Sequence, residues 1–209
     1  MTELEAKLIT GGLSHTSKMP CPSFSLPASA CVTGAKLATQ DGTLCKSCYA
    51  KKGNYTRFRK VAETLQTRLD LLEHWMEESP RTWVEAMTTL IQNYRYFRWH
   101  DSGDVQSRPH WEAIKAVARA LPDTRFWLPT HEVWVAKNDI KGRPGNLLVR
   151  LSATKVDGPA ARSVAHTSTV YRDRPPRGEV CPAPQQGNQC GNCRKCWDRG
   201  VLDVSYALH

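Results

Sequence analysis

The sequence predicts an α/β protein: a parallel sheet in the form of a partial or degenerate (β/α) barrel, with cysteine-rich, metal-binding N- and C-terminal segments. Three observations predict it. From Tyr94 onward, strand-like apolar runs alternate with amphipathic helical stretches, the pattern of parallel strands joined by crossover helices. That alternation gives about four units, short of the eight of a closed barrel of ~250 residues. The eight cysteines all lie outside it, near the two ends of the chain. An open sheet is the second choice. The division runs 1–60 (irregular, basic, cysteine-containing), 61–172 (βα core) and 173–209 (cysteine-rich tail), all within one compact domain.

Residues 1–60 read as irregular because Pro20, Pro22 and Pro27 interrupt any helix. Cys21, Cys31, Cys45 and Cys48 fall here. The C-x2-C pair Cys45 and Cys48 can turn both sulfurs to one ion, and Cys21 and Cys31 would complete four ligands. A buried free thiol explains any one of them. Four in a stretch with little core argue for a metal or cluster. From Lys46 to Lys60 there are six cations and no acid, with Tyr49, Tyr55 and Phe58 interleaved. Cations of this kind neutralise phosphates while rings stack on bases, so Lys51, Lys52 and Arg57 are candidate nucleic-acid contacts. A solvated basic loop with inward-packed rings is the plainer explanation.

Val61, Leu65, Leu69, Leu72 and Met76 recur at helical spacing. Ser79-Pro80 then starts a second helix with its stripe at Trp83, Val84, Met87, Leu90 and Ile91. Tyr94 to Trp99 is a strand. Ser107-Arg108-Pro109 opens a helix through Trp111, Ile114, Val117, Ala118 and Leu121. Arg125 to Leu128 is the next strand, with a short helix expected over Glu132 to Asn138. Leu147 to Leu151 is a third strand. A short helix near Ala160 to Ala165 and a strand at Ser168 to Tyr171 close the series.

Asp101, Asp104, His131, Glu132, Ser152 and Thr154 all follow strand ends. In a parallel sheet those ends share one rim, where α/β proteins bind ligands. The turn His100-Asp101-Ser102-Gly103-Asp104 is the densest part of it. Asp and Ser also cap helices and Gly also makes turns, so a purely structural role competes.

The tail carries Cys181-Pro182 and the run Cys190, Cys193 and Cys196, a C-x2-C-x2-C spacing. It resembles the ligand run of bacterial ferredoxins, where three close thiolates and a distant one hold a [4Fe–4S] cluster. Tetrahedral zinc uses four thiolates equally well. One or two such sites, zinc or [4Fe–4S], are expected. The net charge of +9 and pI of about 9.3 favour a polyanionic partner, most simply nucleic acid. No run is long enough to span a membrane. Met1 to Thr10 does not read as a signal peptide, so the expected location is cytoplasmic, where thiols stay reduced. The oligomeric state is open.

Two resemblances follow. Thr16-Ser17-Lys18-Met19-Pro20, Cys45-x2-Cys48-Tyr49-Ala50, His100 to Asp104, Arg125-Phe126-Trp127 and the terminal cysteine run with Trp197 resemble the phage gene-product-88 family across nearly the whole chain. That likeness would place the protein in the host-cell cytoplasm. Asp101-Ser102-Gly103-Asp104-Val105-Gln106 is similar to the D-S-G-G-F-Q loop of tRNA-guanine transglycosylases, barrels with a cysteine-rich metal site. This implies exchange of guanine for a 7-deazaguanine base in phage DNA, or in tRNA. Base exchange needs a carboxylate nucleophile at the sugar and another to accept guanine protons. Asp101 and Asp104 would divide those roles, with His100 or His131 shuttling a proton. Ser102, Gly103 and Gln106 would meet the flipped base, and Trp99 or Trp127 would stack on it, with core packing the favoured alternative for both rings. The family's nucleophilic Asp before P-T-R has no counterpart, since Phe126-Trp127-Leu128 precedes Pro129-Thr130-His131. Which carboxylate attacks is therefore open.

A partial barrel with cysteine clusters also looks like the radical S-adenosylmethionine enzymes. Their C-x3-C-x2-C spacing is absent, because position 41 is Asp. A third class is a non-catalytic nucleic-acid-binding protein stapled by metal.

Overall fold

The computed structural model describes residues 1–137 and 142–208. Seven strands form one sheet: β1 (Ser23–Phe24), β2 (Tyr96–Trp99), β3 (Arg125–Thr130), β4 (Leu147–Ser152), β5 (Thr167–Tyr171), β6 (Glu179–Val180) and β7 (Asp203–Ala207). All pairings are parallel, in the order β1-β2-β3-β4-β5-β7-β6. The first five strands follow chain order, so successive crossovers wind in one direction, as in a barrel wall. The edges β1 and β6 do not meet, and the sheet stays open.

The helices are α1 (Glu3–Thr10), α2 (Val32–Ala38), α3 (Asn54–Arg57), α4 (Arg59–Glu78), α5 (Pro80–Ile91), α6 (Arg108–Ala120) and α7 (Val133–Lys137). Their starts are encoded locally. Thr2 and Glu5 form a capping box on α1, and the Ser107 hydroxyl accepts the His110 N–H at the start of α6.

Alternate strand residues face opposite sides. Phe97, Trp99, Phe126, Leu128, Leu147, Val149 and Leu151 join Phe24, Trp83, Met87, Ile91 and Ile114 in the main core, under α4, α5, α6 and α7. Tyr96, Arg98, Trp127 and Arg150 point the other way. Trp127 packs there with Cys21 and Trp197, and with Met19, Tyr96 and Cys196 beside them. The tail thus covers the face that would line a closed barrel.

Arg150 explains how the tail stays there. It is fully buried. Its guanidinium donates to the carbonyl oxygens of Lys195, Cys196, Asp198, Val201, Leu202 and Thr167, at 2.8–3.3 Å. One planar fork satisfies a whole loop of backbone acceptors.

Several expectations are corrected. Residues 1–60 hold α1, α2, α3 and the edge strand β1, and the tail supplies β6 and β7. β1 and β6 have two residues each, too short to show a period, and prolines flank β1 as sheet edges allow. The helix expected near Ala160 to Ala165 is absent; turns and bends occupy that stretch after Gly158-Pro159. The helix expected over Glu132 to Asn138 is α7, and Asn138 itself lies outside the described residues. Among the described residues no helix is long and apolar enough to cross a membrane.

Candidate functional site

The residues after β1, β2, β3 and β4 share one rim, because those strands are parallel. Backbone bonds lock the first two loops together. His100 N–H donates to Phe24 O at 2.8 Å and Leu26 N–H to Ser102 O at 3.0 Å. Gly103 has φ +80°, and a β-carbon there would stand 2.6 Å from Leu26 Cβ. Only glycine fits that crossing.

Asp101 and Asp104 both arrive at the rim, and both are buried. Asp101 accepts from the Ser25 hydroxyl on Oδ1 and from Tyr55 on Oδ2 at 3.0 Å, while the Tyr49 hydroxyl donates to the Asp101 carbonyl. Burial opposes its charge, yet the Arg98 guanidinium and these hydroxyls hold its pKa below the usual value. Asp104 accepts from Val105 N–H at 2.8 Å and Thr130 Oγ1 at 2.6 Å on one oxygen, and from His131 N–H at 2.8 Å on the other. Burial nonetheless pushes its pKa up to about 7. Every carboxylate oxygen of this pair is already used.

The other sequence candidates divide. Ser102 donates to Leu26 O at 2.6 Å, and Gln106 Nε2 to Asp104 O at 2.6 Å, so both brace the turn. Trp99 takes the core-packing alternative and not base stacking: it is fully buried in the helix-side core, between Trp83, Phe97 and Phe126. His100 is buried beside His110, 5.4 Å between ring centroids, and both of its ring nitrogens lack a partner. Burial, with Arg98 nearby, lowers its pKa to about 3, which unsuits it for proton shuttling near neutrality. His131 is half-buried at the rim, and Nδ1 is unpartnered. Lys51, Lys52 and Arg57 are exposed around the rim, without an acidic partner among the described residues.

The cysteines fall into two groups that differ from the pairing expected. Cys31, Cys45 and Cys48 gather after β1. The sulfurs of Cys31 and Cys45 lie 3.6 and 3.7 Å from the point where a Gly34 β-carbon would stand. Burial pushes the Cys31 thiol up to about 12, with Asp104, Cys48 and Cys45 adding to the rise. Two clasps hold this loop to the rim: Leu44 N–H donates to Thr154 O at 2.9 Å, and the Glu132 carboxylate accepts from Thr33.

Cys21 does not join them. It sits beneath, next to Cys190 on the tail-covered face. There Cys190 is within electrostatic reach of Cys181 and Cys193, and Cys196 of Cys181. Cys181 N–H bonds Ser205 O, Cys190 N–H bonds Lys18 O, and Cys193 N–H bonds Cys190 O, each at 2.9 Å. The Cys196 sulfur is 3.1 Å from the Tyr206 hydroxyl. Among the described residues no three His, Cys, Asp or Glu side chains are drawn close enough to hold a single ion as placed. Tetrahedral zinc with 2.3 Å bonds needs thiolates about 4 Å apart. A cube interposes iron and sulfide and takes thiolates farther apart.

Ser25, Thr33, Gly34 and Arg150 were missed by sequence reasoning. Arg150 carried a signal, a lone charge inside the apolar run Leu147 to Leu151. Gly34 carried one too, a glycine within a helix.

Fold and rim together define an α/β protein with an open, parallel seven-stranded sheet and two groups of thiols. The chain belongs to the Gene product 88 family, whose profile matches residues 2–199. No curated protein and no solved structure matches it.

Proposed function

We propose that this chain is an iron–sulfur enzyme of the radical S-adenosylmethionine type, with a nucleotide or nucleic acid as its substrate. What supports this reading is that Cys31, Cys45 and Cys48 lie within electrostatic reach of one another at the strand-end rim of an open parallel sheet. Three thiolates would hold a four-iron cluster and leave one iron without a protein ligand. The chemistry such a centre supplies is one-electron reductive cleavage of the sulfonium of S-adenosylmethionine.

The residues fit the group. Gly34 keeps the space beside two sulfurs open, since a β-carbon there would lie 2.8 Å from Cys31 Cβ. The spacing Cys31-x13-Cys45-x2-Cys48 departs from C-x3-C-x2-C, and the fold replaces proximity in sequence with the Thr33–Glu132 and Leu44–Thr154 clasps. Lys51, Lys52 and Arg57 at the rim supply the cations that a phosphate backbone needs. The tail thiols Cys181, Cys190, Cys193 and Cys196 hold a second metal centre in this reading.

Guanine exchange is the second reading of the same rim, supported by Asp101 and Asp104 standing at strand ends around Gly103. It is weaker, because both carboxylates are buried and their oxygens already accept hydrogen bonds that hold the two turns together.

The test is anaerobic reconstitution with iron and sulfide, then incubation with S-adenosylmethionine and dithionite. The expected result is absorbance near ~400 nm and release of 5′-deoxyadenosine, both lost in Cys45→Ala/Cys48→Ala. A protein that binds no iron at these thiols overturns the proposal. Incorporation of labelled 7-deazaguanine into DNA, abolished in Asp101→Ala, would install the second reading instead.

A further inference from the structure

A continuous line of side chains joins the two thiol groups across the tail-covered face. Trp197 directly follows Cys196, and its ring meets Trp127 at 5.3 Å between centroids. The Arg98 guanidinium lies over the Trp127 ring at 4.6 Å. Arg98 and the Tyr49 hydroxyl stand within electrostatic reach of each other. Tyr49 directly follows Cys48. Each end of the line is thus bonded through the backbone to a thiol of one group.

Two further features single this line out. Trp127 and Trp197 are each only 5% exposed, so its centre is shielded from water. Arg98 Nε and Trp127 Nε1 are buried without a partner. A native fold rarely leaves such groups unpaired, and a redox role is one of the accepted explanations.

We propose that Trp197, Trp127, Arg98 and Tyr49 form an electron path between a redox-active iron–sulfur cluster on Cys181, Cys190, Cys193 and Cys196 and the cluster on Cys31, Cys45 and Cys48. This rests on the iron–sulfur reading given above, and it commits the tail to iron, since zinc has no redox state to offer. A low-potential one-electron reductant gives one electron to the tail cluster. That cluster returns to its oxidised form as the electron passes on, and the rim cluster is reduced by one. No bond forms or breaks and no proton moves. The positive charge of Arg98 on the Trp127 face disfavours a tryptophan radical cation. The ring therefore carries the electron by tunnelling and is not itself oxidised.

The experiment uses the reconstituted full-length protein. Cys31→Ala/Cys45→Ala/Cys48→Ala and Cys193→Ala/Cys196→Ala assign the spectrum of each cluster. A pulse of radiolytic electrons, fewer than one per chain, then reports any redistribution between clusters as a phase independent of protein concentration. The expected result is such a phase in the parent, slowed at least several-fold in Trp127→Leu and restored in Trp127→Phe, with iron content unchanged. If Trp127→Leu loses iron, Tyr49→Leu interrupts the same line from the exposed side and is expected to slow the phase equally. Zinc in the tail of the natively purified protein overturns the proposal, as does an unchanged phase in the iron-replete variants. Redistribution without 5′-deoxyadenosine formation in the parent would sink the enzyme reading and leave the path standing.

Discussion

Thr33 and Glu132 stand 99 positions apart in sequence and meet through two hydrogen bonds, N–H to Oε1 at 2.9 Å and Oγ1 to Oε2 at 2.8 Å. Trp134 Nε1 adds a third donor to Oε2 at 3.1 Å. The loop after β3 therefore holds the start of α2, two residues from Cys31. Glu132→Ala removes all three acceptor contacts. The expected outcome is loss of iron from the rim thiols with the tail's share retained, and a stability loss of about 1–3 kcal/mol. Glu132→Gln keeps an acceptor and should fall between. Iron and sulfide analysis with thermal melts checks this, and full iron loading in Glu132→Ala would show that the loop needs no such clasp.

Gly34 offers a sharper case, because helix propensity and site geometry pull in opposite directions. On an ordinary helix Gly→Ala is favourable by about 1 kcal/mol. In α2 the new methyl would stand 2.8 Å from Cys31 Cβ and within 3.7 Å of two sulfurs. Gly34→Ala is expected to retain its far-ultraviolet circular dichroism and lose most of the rim cluster's absorbance. A variant that is more stable and loads iron fully would mean the space beside these sulfurs is not reserved for anything.

What the sequence revealed follows from the range of each interaction. The helical stripes from Val61 to Ile91 and the alternation from Tyr94 to Tyr171 are local, so α4, α5, β2, α6, β3 and β4 were legible, as was the shared rim that places Asp101, Asp104 and His131 together. The division of the cysteines was not. Spacing linked Cys21 to Cys45 and Cys48. The strand β1 instead leaves Cys21 beside Cys190 and carries the chain on to the rim before Cys31. Likewise the ring directions of Tyr49 and Tyr55 were left open between stacking on bases and packing inward, and their hydroxyls turn in to Asp101. Such pairings depend on contacts 46 to 171 positions apart, about which local periodicity carries no information.

His100 and His110 make stability depend on pH. Burial lowers the pKa of both, His100 to about 3 and His110 well below its usual value. The folded protein keeps them neutral while the unfolded chain takes up protons near pH 6.5. Their contribution is therefore complete above that pH and is lost progressively as pH falls toward 3, at about 1.4 kcal/mol per pH unit for each histidine. Asparagine tolerates the left-handed φ of 56° at position 100. Denaturant unfolding between pH 7 and pH 4.5 should show a steep acid loss in the parent and a shallower one in His100→Asn. Identical slopes would mean that His100 is charged in the folded state.

Substitutions at Arg150 separate the tail's attachment from the metal proposed for it. The six carbonyl oxygens Arg150 serves belong to Thr167, to Lys195 and Cys196 at the end of the cysteine run, and to Asp198, Val201 and Leu202 just after it. Methionine at this position fills similar space and donates nothing, leaving buried acceptors unpaired at roughly 1–3 kcal/mol each before relaxation. Lysine restores the charge but not the planar fork that reaches several acceptors at once. Arg150→Met is expected to lower stability by ~3 kcal/mol or more, and Arg150→Lys to recover little of it. Trypsin should then cut after Arg177 faster than in the parent, with Trp197 fluorescence shifting to the red as its indole leaves the Phe97 carbonyl, now 2.9 Å away. If metal alone pinned the tail, both variants would resist trypsin as the parent does until a chelator was added. Protection that tracks Arg150 with or without chelator would instead show that the guanidinium builds the cysteine loop first and the metal enters a site already formed.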